Sequence, residues 1–303
     1  MTVRITQSML TTNVLADLNN ITNELQQTQN QLASGKSIQK PSDDPFGTAR
    51  ALQYRADLAA NQQYQSNVND ATAWQNAADT ALGDVGSLSL RARDLVVQAG
   101  NGTLSASDRL TIASEVDQII ESVKTAANTQ YAGTYIFSGS KTNTPPYVTG
   151  GPPYDDAYKG DTTALMREIG PGGVQVQLNQ IGSAVIGDGS NPTSLLATLR
   201  QVSTDLKSNN VTALQTTDLT NLDNSNDTIT ESRATVGATS NRLTTALSRL
   251  QQLQQSTMQL LSQTEDADMA QLAVNYSQQQ AVYTAALKAG AGIIQPSLMD
   301  FLH

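Results

Sequence analysis

The sequence predicts a mainly α protein: an elongated helical bundle or coiled coil formed by N- and C-terminal helices, with a small β-rich insert domain. Three observations predict it. Apolar residues recur at steps of three and four near both ends of the 303-residue chain. The composition is thin in apolar bulk, at 38% with only 4% aromatic, which argues against one large globular core. Glycine, proline and tyrosine gather in one internal stretch, where the helical spacing lapses.

The first helix is read from Val14, Leu18, Ile21, Leu25, Thr28 and Leu32, a heptad seam with one polar member. It stops at Gly35, a residue suited to a left-handed C-terminal position. Asp43-Asp44-Pro45 then announces a second helix: Asp44 caps free amides, and Pro45 takes the first helical position, where its missing N–H costs nothing. That helix runs to about Ala99, with Ala78, Leu82, Val85, Ala92, Val96 and Ala99 as its apolar seam. After the turn at Gly100-Asn101-Gly102, Ser105 to Asp108 opens a third helix, carrying Ala113, Val116, Ile120, Val123 and Ala127.

Between Gly133 and Gly189 the character changes. Pro145, Pro146, Pro152, Pro153 and Pro171 fall here, and Val174, Val176 and Leu178 alternate with period two, as a half-buried strand does. Helix resumes near Pro192. Leu222, Ile229, Val236, Leu243 and Leu250 recur every seven residues, and Leu253, Leu260, Ala267, Val274 and Ala281 form a second such row. One helix over 211–289 would be about 120 Å long. A compact chain of this size has a radius of gyration of about 19 Å, so the molecule is expected to be elongated. The expected division is 1–132 helical, 133–190 β-rich insert, and 191–303 helical and paired with the first region.

Toward the ends the seams weaken. Beyond Leu250 its row continues through Thr257, Thr264, Gln271 and Gln278. Such a contact buries little apolar area against the ~1–2 kcal/mol per residue that ordering the backbone costs. The ends are therefore expected to be loose alone and to order when other apolar surface arrives. Ile293, Ile294, Leu298, Met299, Phe301 and Leu302 form an apolar tail that also wants a partner. The candidate partner-binding seam is thus Val14, Leu18, Ile21, Leu25 and Leu32 near one end, with Leu250, Leu253, Leu260, Val274, Leu298, Met299, Phe301 and Leu302 near the other. From heptads alone, a self-contained antiparallel bundle with frayed ends is an equal alternative.

Chemistry is harder to place. The formal charge of −9 argues against nucleic acid, because phosphate binding needs clustered cations. With no Cys, and one His at position 303, thiolate chemistry, Cys or His metal clusters and a Ser-His-Asp triad are all excluded. No run of 18 apolar residues suggests membrane insertion, and Met1 to Gln7 lacks the layout of a cleaved secretory signal. Asp43 and Asp44 read as caps rather than an acid–base pair. Glu265, Asp266 and Asp268 read as a solvated face, Gly170-Pro171-Gly172-Gly173 as a turn without the GK[ST] of a phosphate loop, Trp74 as core, and the tyrosines from Tyr131 to Tyr158 as packing of the insert. No catalytic constellation and no cofactor is expected.

Three longer segments carry a resemblance. Leu32 to Pro45 resembles the segment after the first helix of bacterial flagellins and flagellar hook-associated proteins. Arg233 to Leu243 resembles their C-terminal domain entry, and Glu265 to Leu302 their closing helix and tail. All three fall in the family's order. Pro41 and Pro45 bracketing Ser-Asp-Asp, Tyr135 to Thr142, Pro145-Pro146-Tyr147 and Tyr158 to Asp161 resemble the hook–filament junction type rather than the filament type; Met299 stands where Leu is commoner. The resemblance implies an axial structural protein, not an enzyme, that leaves the cell unfolded through the flagellar type III export channel. It implies terminal helices forming inner layers around the central channel, an insert facing outward, and self-assembly into a ring with sister subunits. It also implies contacts with hook-associated protein 1 and flagellin, and a flagellar export chaperone before export. A bulk filament flagellin is the alternative within the family; a non-flagellar coiled-coil scaffold is the alternative outside it.

Overall fold

The computed structural model describes residues 7–150, 155–189 and 191–294. The chain is mostly helical, with two small antiparallel sheets. Its helices are α1 (Gln7–Ser34), α2 (Pro45–Ala99), α3 (Ala106–Ala127), α4 (Gly182–Val185), α5 (Leu195–Lys207), α6 (Val211–Ala213), α7 (Leu219–Glu265) and α8 (Met269–Ile294). A π-helical turn, Leu214–Asp218, joins α6 to α7. The strands are β1 (Gln130–Tyr131), β2 (Thr134–Tyr135), β3 (Met166–Gly170) and β4 (Val174–Gln177), paired β1–β2 and β3–β4.

Local signals account for the helix starts. Asp44 Oδ1 accepts the amides of Phe46 (3.1 Å) and Gly47 (3.0 Å), and Pro45 is the first helical residue. Asp43 accepts the amides of Gln39 and Lys40, both at 3.1 Å, and so fixes the preceding loop. Asp44 thus caps α2 as the sequence predicts, whereas Asp43, expected to share in the capping, is taken up by the loop before it, whose amides lie within its reach. Ser105 and Asp108 form a reciprocal capping box at the head of α3. α1 ends at Gly35, at φ +70, with the Gly35 amide bonded to Gln31 O.

The chain divides into two compact units, one from the residues up to Ala59 together with those from Gln254 onward, the other Ala60–Leu253. The second unit holds a continuous apolar core. The seams predicted on α2 and α3 are buried throughout, as is the row Leu222, Ile229, Val236, Leu243 and Leu250 on α7. Ile136, Phe137, Tyr147, Ile169, Val176, Leu178 and Ile186 join that core, so the segment between α3 and α5 shares it. Ion pairs Arg93–Asp223 and Arg233–Asp79 tie α2 to α7, and Arg91–Glu115 ties α2 to α3.

That intervening segment is held mainly by turns and side chains. Asn128 and Tyr147 exchange two hydrogen bonds, and the Tyr147 hydroxyl donates to Gly182 O and Gly187 O in the interior. Asp161 accepts from the hydroxyl and amide of Ser140 and the amide of Thr163, which hold its carboxyl down at about 2. Gly139, at φ +69, lies where a Cβ would run into the Asp161 carbonyl. Gly170 to Gly173 closes the β3–β4 hairpin, and Asn67 and Gln75 of α2 donate to Glu168 O and Leu178 O to seat it. Trp74 is buried and meets Tyr131 edge-on, with ring centroids 6.0 Å apart.

One expectation fails. The single helix over 211–289 is interrupted twice, by the π turn at 214–218 and by a break at 266–268. The second break has a local cause and a distant one. Asp268 Oδ1 accepts the amides of Ala270 (2.9 Å) and Gln271 (3.1 Å), and so starts α8 afresh. The backbone just before it turns aside to pair with residues 35–37.

Candidate assembly surface of the terminal helices

The first unit is built differently from the second. α1 and α8 lie antiparallel: Val14 and Leu18 face Gly290, Gln29 Nε2 donates to the Tyr276 hydroxyl (3.1 Å), and Gly35 O accepts from Ala267 N (3.0 Å). The face that α8 keeps from solvent runs through Leu272, Asn275, Tyr276, Gln279, Tyr283 and Ala286. Amides and phenols outnumber aliphatic groups on it. Gly290 is buried, and a Cβ there would meet Val14 Cγ1 at 3.2 Å, so the lack of a side chain permits this close approach.

Among the described residues of this unit, Ala51 is the only buried apolar one. The other buried side chains are Thr28, Thr257 and Glu265. Thr28, the polar member of the α1 seam, is its most buried residue, and its hydroxyl donates to Glu24 O (3.0 Å).

Glu265 corrects a second expectation. It does not lie on a solvated face. Its carboxylate is buried and accepts from Lys36 Nζ (2.6 Å) at one oxygen and from Arg55 at the other. Its backbone carbonyl accepts from the amide (2.7 Å) and the hydroxyl (3.1 Å) of Ser37. With the Ala267–Gly35 bond, this makes a short antiparallel clasp between Lys36 and Asp266. Asp268 is likewise engaged, as the cap of α8.

The predicted seam residues separate into four groups. Val14, Leu18, Ile21, Leu25 and Leu32 are half-buried on α1, the helix that packs on α8. Leu250 is buried in the core of the second unit, where its carbonyl accepts from Asn61 Nδ2 (3.0 Å). Leu253, Leu260 and Val274 are exposed, Val274 by 59%. Leu298, Met299, Phe301 and Leu302 lie outside the described residues. The structure therefore brings the α1 residues together with α8, but not with the exposed row. Lys36, Arg55, Tyr276 and Gly290 were not singled out from sequence. Only Gly290, a small residue inside a helical pattern, carried a local signal.

The N-terminal helical region of bacterial flagellins matches residues 5–142, and the C-terminal helical region matches residues 219–302. Flagellar hook-associated protein 3 of Salmonella typhimurium is 30% identical over 305 aligned residues, which span 94% of this chain and 95% of that protein. The chain belongs to the bacterial flagellin family. Within the family the extent of similarity differs. A flagellin of Clostridium tyrobutyricum is 30% identical over only 45% of this chain and 37% of its own length. The solved structure of hook-associated protein 3 from Legionella pneumophila superposes with a TM-score of 0.62 at 18% identity, covering 70% of this chain and 98% of that one, which is a likeness of fold. The two halves of the clasp, Lys36 and Glu265, come one from each of the family's two matched regions.

Proposed function

We propose that this chain is a structural subunit of the flagellar hook–filament junction, connecting hook to filament and required for filament assembly and motility. The observation that carries this reading is end-to-end similarity to a hook-associated protein 3, where the flagellin match covers little more than a third of that flagellin. The terminal unit supports it physically. Its helices bury almost no apolar side chain, and they leave Leu260, Val274, Met258 and Phe46 exposed. Surface of this kind gains most when neighbouring copies cover it. The subunits assemble as a ring of sister copies, between hook-associated protein 1 on the hook side and flagellin on the other. The chain reaches that place by flagellar type III export, escorted by a chaperone, and the segment 133–190 faces outward from the ring.

The test is deletion combined with localisation. A strain lacking the gene should build hooks, spill flagellin into the medium and fail to swim. An antibody to this chain should label one band at the end of the hook. Normal filaments in the deletion strain would overturn the assignment. Label along the whole filament would favour the flagellin reading, which the partial flagellin match keeps in view.

A further inference from the structure

Two helix breaks lie side by side in the first unit. One separates α1 from α2, between Ser34 and Pro45; the other separates α7 from α8, between Glu265 and Met269. Breaks in both strands of a helix pair at one level are what a hinge requires, since neither helix splints the other across the gap. Gly35 sits in this bend, and no atom comes within 4 Å of where its Cβ would be, so nothing packs against it.

On one side of the breaks, α1 and α8 are joined at several levels: Gly290 against Val14, Gln29 against Tyr276, and the clasp itself. On the other side, α2 carries Arg55. Glu265 is the residue that reaches both. Its backbone carbonyl holds Ser37, one carboxylate oxygen holds Lys36 in the clasp, and the other holds Arg55 on α2. The carboxylate is buried while both cations are about half exposed, so the acid is the fixed element and the cations close over it.

We propose that Glu265 is the pin of a hinge on which α1 and α8 move as a single arm relative to α2. With the pin charged and doubly paired, the arm keeps one angle; without the charge, the two backbone hydrogen bonds of the clasp remain but the tie to Arg55 is lost. Glu265 is thus a positioning residue. The hinge is a property of the isolated chain, whether or not that chain sits at a junction.

The chain has no Cys, so pairs of spin labels can be placed cleanly in the full-length protein. Ala56→Cys with Ala285→Cys reports the arm against α2; Asn30→Cys with Ala273→Cys reports α1 against α8 within the arm. All four sites are exposed. In the Glu265→Gln background the distance distribution of the first pair should widen at least twofold, while that of the second stays unchanged. Lys36→Gln, which leaves Arg55 in place, should widen the first pair less, and decides the matter if Glu265→Gln does not fold. An unchanged first pair overturns the proposal. Equal widening of both pairs also overturns it, because the carboxylate would then be holding α1 to α8 rather than setting the angle of the arm.

Discussion

Asp218 closes the π-helical turn and is almost fully buried, and its Oδ2 meets no donor among the described residues. Burial, with the nearby Asp205 carboxylate, lifts its pKa to about 6. Asp205 is itself buried and already accepts from Gln201 and Asn210. A folded-state pKa above the unfolded value of 3.8 means that the folded chain takes up a proton the unfolded chain has released. The stabilisation is complete below the unfolded pKa and is lost as pH rises through about 6. Asp218→Asn removes the proton dependence while keeping the shape. It should raise the unfolding midpoint by several degrees near pH 8, corresponding to about 2 kcal/mol, and leave it unchanged near pH 4. Calorimetry at the two pH values checks this. The sequence offered no hint of the pair, because Asp205 and Asp218 are ordinary polar residues of helical segments until the fold sets them face to face.

At the scale of elements, the seams with Leu, Ile and Val at every third or fourth position were legible and are buried where predicted, on α2, α3 and α7. Helix starts were legible for the same reason: a cap is a local interaction, complete within four residues. The break at 266–268 was not. It depends on Ser37, Lys36 and Arg55, more than two hundred residues away, and without them Glu265 and Asp268 look like any solvated acids. The charged network around α3 escaped notice similarly. Lys124 is fully buried and pairs with Asp156 (2.6 Å) and Glu121 (3.1 Å), while Arg200 of α5 also holds Asp156. Burial alone would push the Asp156 carboxyl up; hydrogen bonds from Arg200 and Lys124 more than offset it, so the net shift is downward. This network fastens the loop at residues 155–156 to two helices. Lys124→Met strips one cation from it and should cost about 3 kcal/mol, the low end for breaking a buried pair, since Arg200 remains. Denaturant unfolding measures the loss, and the change should shrink when Asp156→Asn is added.

For the whole molecule, the sequence carried the family at both ends and the helical class throughout. It carried the partner surface less directly. Heptad arithmetic grouped Leu253, Leu260 and Val274 with the α1 seam, whereas the fold turns α8 so that Tyr276, Gln279 and Tyr283 face inward and Val274 faces out. Leu253 and Leu260 already face solvent on α7, ahead of the break, so this row stays on the outside of both helices, and a heptad count alone does not tell an inner row from an outer one. Leu298, Met299, Phe301 and Leu302 lie outside the described residues, and their apolar composition is what calls for a partner. Leu298→Asp combined with Phe301→Asp should abolish incorporation at the hook end while leaving the circular dichroism of the isolated chain unchanged, as expected for side chains that serve contacts between subunits. Incorporation at the parent level would show the tail to be idle. The make-up of the α1–α8 pair has a further consequence for solubility. The α8 face of the pair is mostly carboxamides and phenols, which water satisfies once the helices part, whereas the α1 face then bares Val14, Leu18, Ile21, Leu25 and Leu32 as a greasy stripe. An opened pair therefore stays dispersed only while another surface covers that α1 stripe.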